Sequence, residues 1–260
     1  MTNKVRNVRS PILACAALAG LIFASVGAPV QSQSLGDLMG SAKKVAQAAS
    51  VSDAQITEYF SQMSGEMDRD NPVAPPRSPY AVRLANITKG LASYDGLRLN
   101  FKAYLVKDVN AFAMGDGTVR VYAGLMDRFT DDEVRCVIGH EIGHVALKHG
   151  QNRLKRALQQ DAALSVAGTA SSGVRRISNS ELGKLIGQVV NAQYSQGAET
   201  AADDYALNFM KANRYPVQAC PAAMDKLAAM GGGGGIGLLR THPDPAQRAK
   251  RMRAKIASGR

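Results

Sequence analysis

Between Thr130 and Gly150 the chain reads TDDEVRCVIGHEIGHVALKHG. Thr130-Asp-Asp-Glu133 is a capping box, so a helix starts there, and Gly150 is suited to end it. Val134, Val137, Ile138, Ile142, Val145 and Leu147 make this helix apolar around much of its circumference. Such a helix is buried, and a buried helix that carries His140, Glu141 and His144 must supply partners for all three. No other stretch restricts the fold as tightly.

Four residues apart on a helix, His140 and His144 project from one face about one turn from each other. Two imidazoles in that geometry can hold one zinc ion at bonds of about 2.0–2.1 Å. Glu141 lies about 100° round from His140, poorly placed as a ligand but able to reach a water beside the ion. The pattern divides into two ligands and one general base. His149 falls on a different face from His144 and reads as a cation at the helix C-terminus. A zinc hydrolase needs a third protein ligand. Downstream of HEIGH the only glutamates are Glu181 and Glu199. Glu181 completes a capping box with Ser178. Glu199 falls mid-helix in YSQGAETAADDYAL, with Asp203 four residues on, where a carboxylate can hold a ligating histidine ring. The same two residues also read as a solvated acidic face.

The rest of the chain is organised around this segment. Lys4, Arg6 and Arg9, then the apolar run Ile12–Ala24, then SVGAPVQSQS describe a secretory signal peptide cut near Ser32, with an uncleaved anchor as the competing reading. Residues 33–79 hold N-terminal helices and the Pro-rich connector NPVAPPRSP, and residues 80–260 the main domain. Ser52-Asp-Ala-Gln55 opens a helix to about Met67, a second helix spans about Tyr80 to Leu91, and Asp244-Pro245 caps a C-terminal helix. Leu97–Val106 and Thr118–Tyr122 alternate as strands, and Asp116-Gly117 between them signals a hairpin in a small antiparallel sheet. The glycine run Gly231–Gly235 suits a mobile hinge ahead of His242. Removing residues 1–32 takes three basic residues and no acid, leaving 11 − 3 = +8. In an exported chain that charge favours anionic membrane surfaces over nucleic acid, although a merely basic soluble surface fits it equally. Cys136 and Cys220 remain, free to bridge in an oxidising compartment or to stay buried thiols.

Taken together, HEIGH, SQGAETAAD and THPDPAQR resemble the zinc metallopeptidase family of the CAAX prenyl-protein endopeptidases and the bacterial protease HtpX. KDVNAFAMGDGTVRVYAGLMD (Lys107–Asp127) is most similar to the exported, LoiP-like periplasmic members. The resemblance implies an α+β, mainly helical gluzincin fold, with a small antiparallel or mixed sheet beside the HEIGH helix. It assigns one Zn2+ to His140, His144 and Glu199, the base role to Glu141, and a supporting role to Asp203. It makes His242 and Arg248 stabilisers of the transition state. One departure is Gln196, where family sequences often carry Arg after the serine.

These readings converge on an exported zinc endopeptidase acting on unfolded or misfolded envelope proteins. Asn110, Ala111, Phe112 and Ala113 are expected to form or adjoin an edge strand on which an extended substrate pairs through its backbone. An ordinary sheet edge is the bland reading of the same residues. The rival from another class is a periplasmic chaperone that binds unfolded strands, for which a base at Glu141 has no use. A zinc hydrolase of non-peptide substrates is weaker still, since no small-molecule pocket is signalled.

Overall fold

The computed structural model describes residues 52–164, 179–231 and 236–259. The signal peptide, its cleavage site, the Ser178 cap and the glycine hinge at residues 232–235 lie outside the described residues.

Helix α1 (Asp53–Asp70) starts at the Ser52 capping box, with Ser52 N donating to Gln55 Oε1 at 2.9 Å. Its buried stripe is Ile56, Phe60, Met63 and Met67. Helix α2 (Pro79–Ile87) is capped by Ser78 and stops short of Leu91, because Gly90 turns into the left-handed region at φ 84. A hairpin follows, β1 (Ser93–Tyr94) and β2 (Leu97–Arg98), turned by Asp95 and Gly96 at positive φ.

The main sheet differs from the expected antiparallel pair. Strand β3 (Asn100–Tyr104) runs parallel to β5 (Thr118–Tyr122), in the register Asn100↔Thr118 to Tyr104↔Tyr122. The Asp116-Gly117 turn instead joins β5 to β4 (Ala111–Ala113), antiparallel, and the strand order is β3-β5-β4. A strand of three residues is too short to display alternation, so the hairpin partner was hidden in the sequence. β5 is central and buried along its whole length.

Beyond the sheet come α3 (Ala123–Arg128) and α4 (Asp131–Ala146), the latter with its Thr130–Glu133 capping box formed. α4 ends four residues before Gly150. Lys148 takes φ 57, and α5 (His149–Leu164) begins at His149. Helices α6 (Asn179–Val189), α7 (Gln196–Ala212), α8 (Ala219–Met230), α9 (Gly237–Thr241) and α10 (Pro245–Ala257) complete the described chain. Pro245 stands in the first turn of α10, but Asp244 is left-handed at φ 57 and its side chain caps nothing.

Two clusters form the interior. Val134, Ile138 and Ile142 of α4 pack with Leu207, Met210 and Leu227, while the α1 stripe packs with Tyr104, Phe112, Met114 and Leu154. α7 lies tight on α4 because Gly139 and Gly143 carry no side chain. A Cβ on Gly139 would stand 2.5 Å from Phe209 Cδ1, and one on Gly143 would stand 3.0 Å from Tyr205 Cβ. That approach brings the first turn of α7 onto the histidine pair.

Cys136 and Cys220 form a disulfide between α4 and α8, across 84 residues of sequence. A loop of that length restricts the unfolded chain by about 4–5 kcal/mol in the chain-entropy treatment. Reductant is therefore expected to lower the guanidinium midpoint of unfolding; an unmoved midpoint with both thiols free would show that the bridge contributes nothing.

Candidate metal centre

His140 and His144 leave α4 on one face, Glu199 comes from the first turn of α7, and His242 stands at the C-cap of α9. All four side chains are buried, and one ligand atom from each lies within 4.8 Å of the others. His140 Nε2 is 3.0 Å from His144 Nε2 and 3.2 Å from His242 Nδ1. Glu199 Oε1 is 2.8 Å from His242 Nδ1 and 3.4 Å from His144 Nε2. Donor atoms around a tetrahedral ion with bonds of about 2.0–2.1 Å stand roughly 3.3 Å apart, so the spacing fits one small cation. Three ring nitrogens aimed at one point repel through their lone pairs unless a positive charge lies between them.

The surroundings fix how each ring presents itself. His140 Nδ1 is 3.0 Å from Asp203 Oδ1, so its proton goes to the carboxylate and Nε2 keeps a lone pair for the cluster. Burial raises the Asp203 carboxyl, but His140 and Arg248 outweigh it and hold the group at about 2. Arg248 donates to Asp203 from Nε at 3.0 Å and from Nη2 at 2.6 Å, and its Nη1 is 2.7 Å from Glu199 Oε2. All three guanidinium nitrogens are thus engaged behind the cluster. Arg248 therefore holds both a carboxylate of the donor cluster and the carboxylate that orients His140.

Burial keeps the His144 ring well below its ordinary pKa, hence neutral. Its Nδ1 is 2.9 Å from His149 Nδ1. Burial also lowers His149, which suits a neutral acceptor for the His144 proton. The reading of His149 as a C-terminal cation fails because α4 ends before it and the residue opens α5. The sequence also gave no sign of Tyr194. Its ring stacks on His144 at 3.8 Å between centroids, Arg153 covers its other side at 3.8 Å, and its N–H donates to Thr241 O beside His242.

Glu199 is pushed up by burial, yet His242, His144 and His140 together bring its carboxyl far below the usual range. Glu141 is only 2% exposed, and burial raises its carboxyl against the pull of His242 and His140. Glu141 Oε1 is a buried oxygen without a hydrogen bond, 3.4 Å from His242 Nε2. An unpaired buried carboxylate oxygen is costly, and here it faces a cleft that also borders β4 and Tyr194.

β4 is an outer strand of its sheet. Asn110 O accepts from Tyr122 N and Met114 N donates to Thr118 O, so the even-numbered residues pair with β5. Ala111 and Ala113 turn their backbone groups away from β5. Asn110 Oδ1 takes the Ala111 N–H at 3.0 Å, leaving the Ala111 carbonyl and both Ala113 groups without a partner strand, although Ala111 is buried at 1% exposure.

The sequence profile of Peptidase family M48 matches residues 82–256. Metalloprotease LoiP of Escherichia coli (strain K12) is 38% identical over 244 residues, which cover 94% of this chain and 97% of LoiP. Metalloprotease YcaL of the same strain is 38% identical over 214 residues, 82% of this chain and 84% of YcaL. The beta-barrel assembly-enhancing protease of Yersinia pestis is 31% identical over 152 residues, 53% of this chain and 30% of that protein. The profile match contains every residue of the donor cluster and its supporting shell, and the chain belongs to peptidase family M48, as a metalloendopeptidase.

Proposed function

We propose that this protein is an exported zinc endopeptidase that cuts unfolded or misfolded proteins of the cell envelope. The observation that carries the reading is the buried donor cluster, whose member His242 lines one cleft with Glu141, an acid with an oxygen that has no hydrogen bond, and with the outer strand β4. Imidazoles with one carboxylate at tetrahedral spacing are the donor set zinc prefers. Zinc, when bound, polarises the scissile carbonyl and acidifies the attacking water.

The chain's own residues do the rest. Glu141 takes the proton of the attacking water and passes it to the leaving amine, and a carboxyl raised by burial is suited to both transfers. Asp203 and His149 fix the ring orientations of His140 and His144, and Arg248 holds Glu199 in place. His242 has two uses. Its Nδ1 stands at the fourth corner of the cluster, and movement of the ring away from that corner leaves Nε2 as a donor to the developing oxyanion. Asn110–Ala113 supplies backbone partners for an extended chain, a mode that selects unfolded segments over a fixed side-chain code. The Cys136–Cys220 bridge supports an oxidising compartment. The net basic charge supports contact with anionic membrane surfaces, while no helix among the described residues is long and apolar enough to cross a membrane.

The test is digestion of casein by the mature protein. Cleavage is expected without additives, lost with a chelator and restored by added zinc. A metal-loaded, folded protein that binds casein and leaves it intact would replace this reading with a binding protein.

A further inference from the structure

The two histidines of α4 are held unequally. Behind His140 stands a carboxylate, Asp203, at 3.0 Å, whereas behind His144 stands a second imidazole, His149, at 2.9 Å. A hydrogen bond to a charged acceptor is roughly twice as strong as one between neutral groups. Either bond fixes the direction of Nδ1 and leaves the ring able to tip about that line. We propose that Tyr194 and Arg153 supply the further restraint: Arg153 fixes the Tyr194 ring, and that ring sets the planes of His144 and His242. Both are positioning residues that act from outside the donor set. The inference rests on the metal-site reading above and concerns the site before any substrate binds.

The contacts of Tyr194 carry the first step. Its ring lies 3.8 Å from His144, centroid to centroid, with 24° between the planes. The same ring is 5.2 Å from His242, at 28°. Stacked aromatic pairs attract beyond their burial, so a flat partner resists tipping of the imidazole. The backbone N–H of Tyr194 donates at 2.9 Å to Thr241 O, on the residue before His242. Ser195, the next residue, is the N-cap of α7, whose first turn carries Glu199. One residue thus faces two donor rings and adjoins the helix start that presents the carboxylate.

Arg153 carries the second step. It lies four residues beyond His149 on α5, so both restraints on His144 come from one helix face. Its guanidinium carbon is 3.8 Å from the centre of the Tyr194 ring, and with His144 equally close the two cannot share a face. Nη1 donates to Val189 O at 2.7 Å and to Ala192 O at 2.8 Å, and Nη2 donates to Gln193 O at 3.1 Å. Val189 is the last residue of α6, where helix carbonyls lack partners and a cation is favoured. The guanidinium therefore ties down the segment that leads to Tyr194 and covers the ring that this segment delivers. Lysine, a point charge, cannot meet three carbonyls while lying flat on a ring.

The test is the visible spectrum of the protein loaded with Co2+ alone, which reports ligand geometry without a substrate. Tyr194→Leu, Tyr194→Phe, Arg153→Met and the double variant Arg153→Met/Tyr194→Leu would be compared with wild type, with circular dichroism to establish folding. Tyr194→Leu is expected to shift the cobalt bands and weaken metal binding about 10–100-fold, the range for losing a group that orients a ligand. Tyr194→Phe keeps the ring and should keep the bands. Arg153→Met should reproduce the shift, and the double variant should add little to it, because the arginine acts through the ring. If Arg153→Met does not fold without its α6 contacts, Arg153→Lys takes its place in the same comparison. A folded Tyr194→Leu protein with wild-type bands and affinity overturns the inference. So do equal shifts in Tyr194→Phe and Tyr194→Leu, or shifts that add in the double variant. Wild-type protein that binds no cobalt removes the metal-site reading and the inference with it, whereas cobalt bound without cleavage of casein removes the peptidase reading alone.

Discussion

Glu141→Gln is expected to keep its zinc and lose turnover by roughly 10²–10⁴-fold, the range for removing a positioned general base. Glutamine preserves the size of the side chain and leaves the four donor residues untouched. It cannot take a proton from water. The carboxyl it replaces is buried and raised, and one of its oxygens has no hydrogen bond, so little of the fold depends on its charge. Zinc content by elemental analysis and peptide hydrolysis would be measured on one preparation. Zinc retained with turnover collapsed is the expected pair of results. Wild-type turnover in this variant would place the base elsewhere, and zinc loss would make Glu141 part of the ligand set.

The sequence showed what is local. The two histidines of HEIGH needed only helical spacing, and the capping boxes at Ser52 and Thr130 needed only four consecutive residues each. Gly139 and Gly143 also stood in plain view, but their use depends on Phe209 and Tyr205, which are far along the chain. The parallel pairing of β3 with β5 was hidden because the intervening β4 is three residues long. His149 was misread because a lysine, not a glycine, takes the left-handed position that ends α4. Tyr194 and Arg153 carry no periodic signal; only the folded chain sets one ring on another. The same holds for α1, whose capping and stripe announce a helix and say nothing of the cleft it lines. Arg248 lay in a recognisable motif, yet whether it faces the cleft or the carboxylates behind the metal site depends on how α10 packs against α7.

Glu199→Ala is expected to release the metal. Glu199 contributes the one carboxylate to the donor cluster, and it also stands against His242 and Arg248. His242 Nδ1 is 2.8 Å from Glu199 Oε1, and Arg248 Nη1 is 2.7 Å from Oε2. Alanine removes a ligand and leaves a buried guanidinium facing a set of imidazoles with less negative charge between them, which disfavours any cation there. Loss of a residue that merely supports a ligand costs about 10–100-fold in metal affinity, and loss of this one should exceed that range. Glu199→Gln separates the causes, because it keeps the volume and one oxygen but removes the charge. The measurement is a competition titration against a chromogenic zinc chelator, with far-UV circular dichroism to establish that both variants fold. Affinity that falls far below wild type in both variants supports Glu199 as the third ligand. A folded Glu199→Ala protein that competes for zinc as well as wild type would refute the assignment and turn attention to Glu181, the other glutamate downstream of HEIGH.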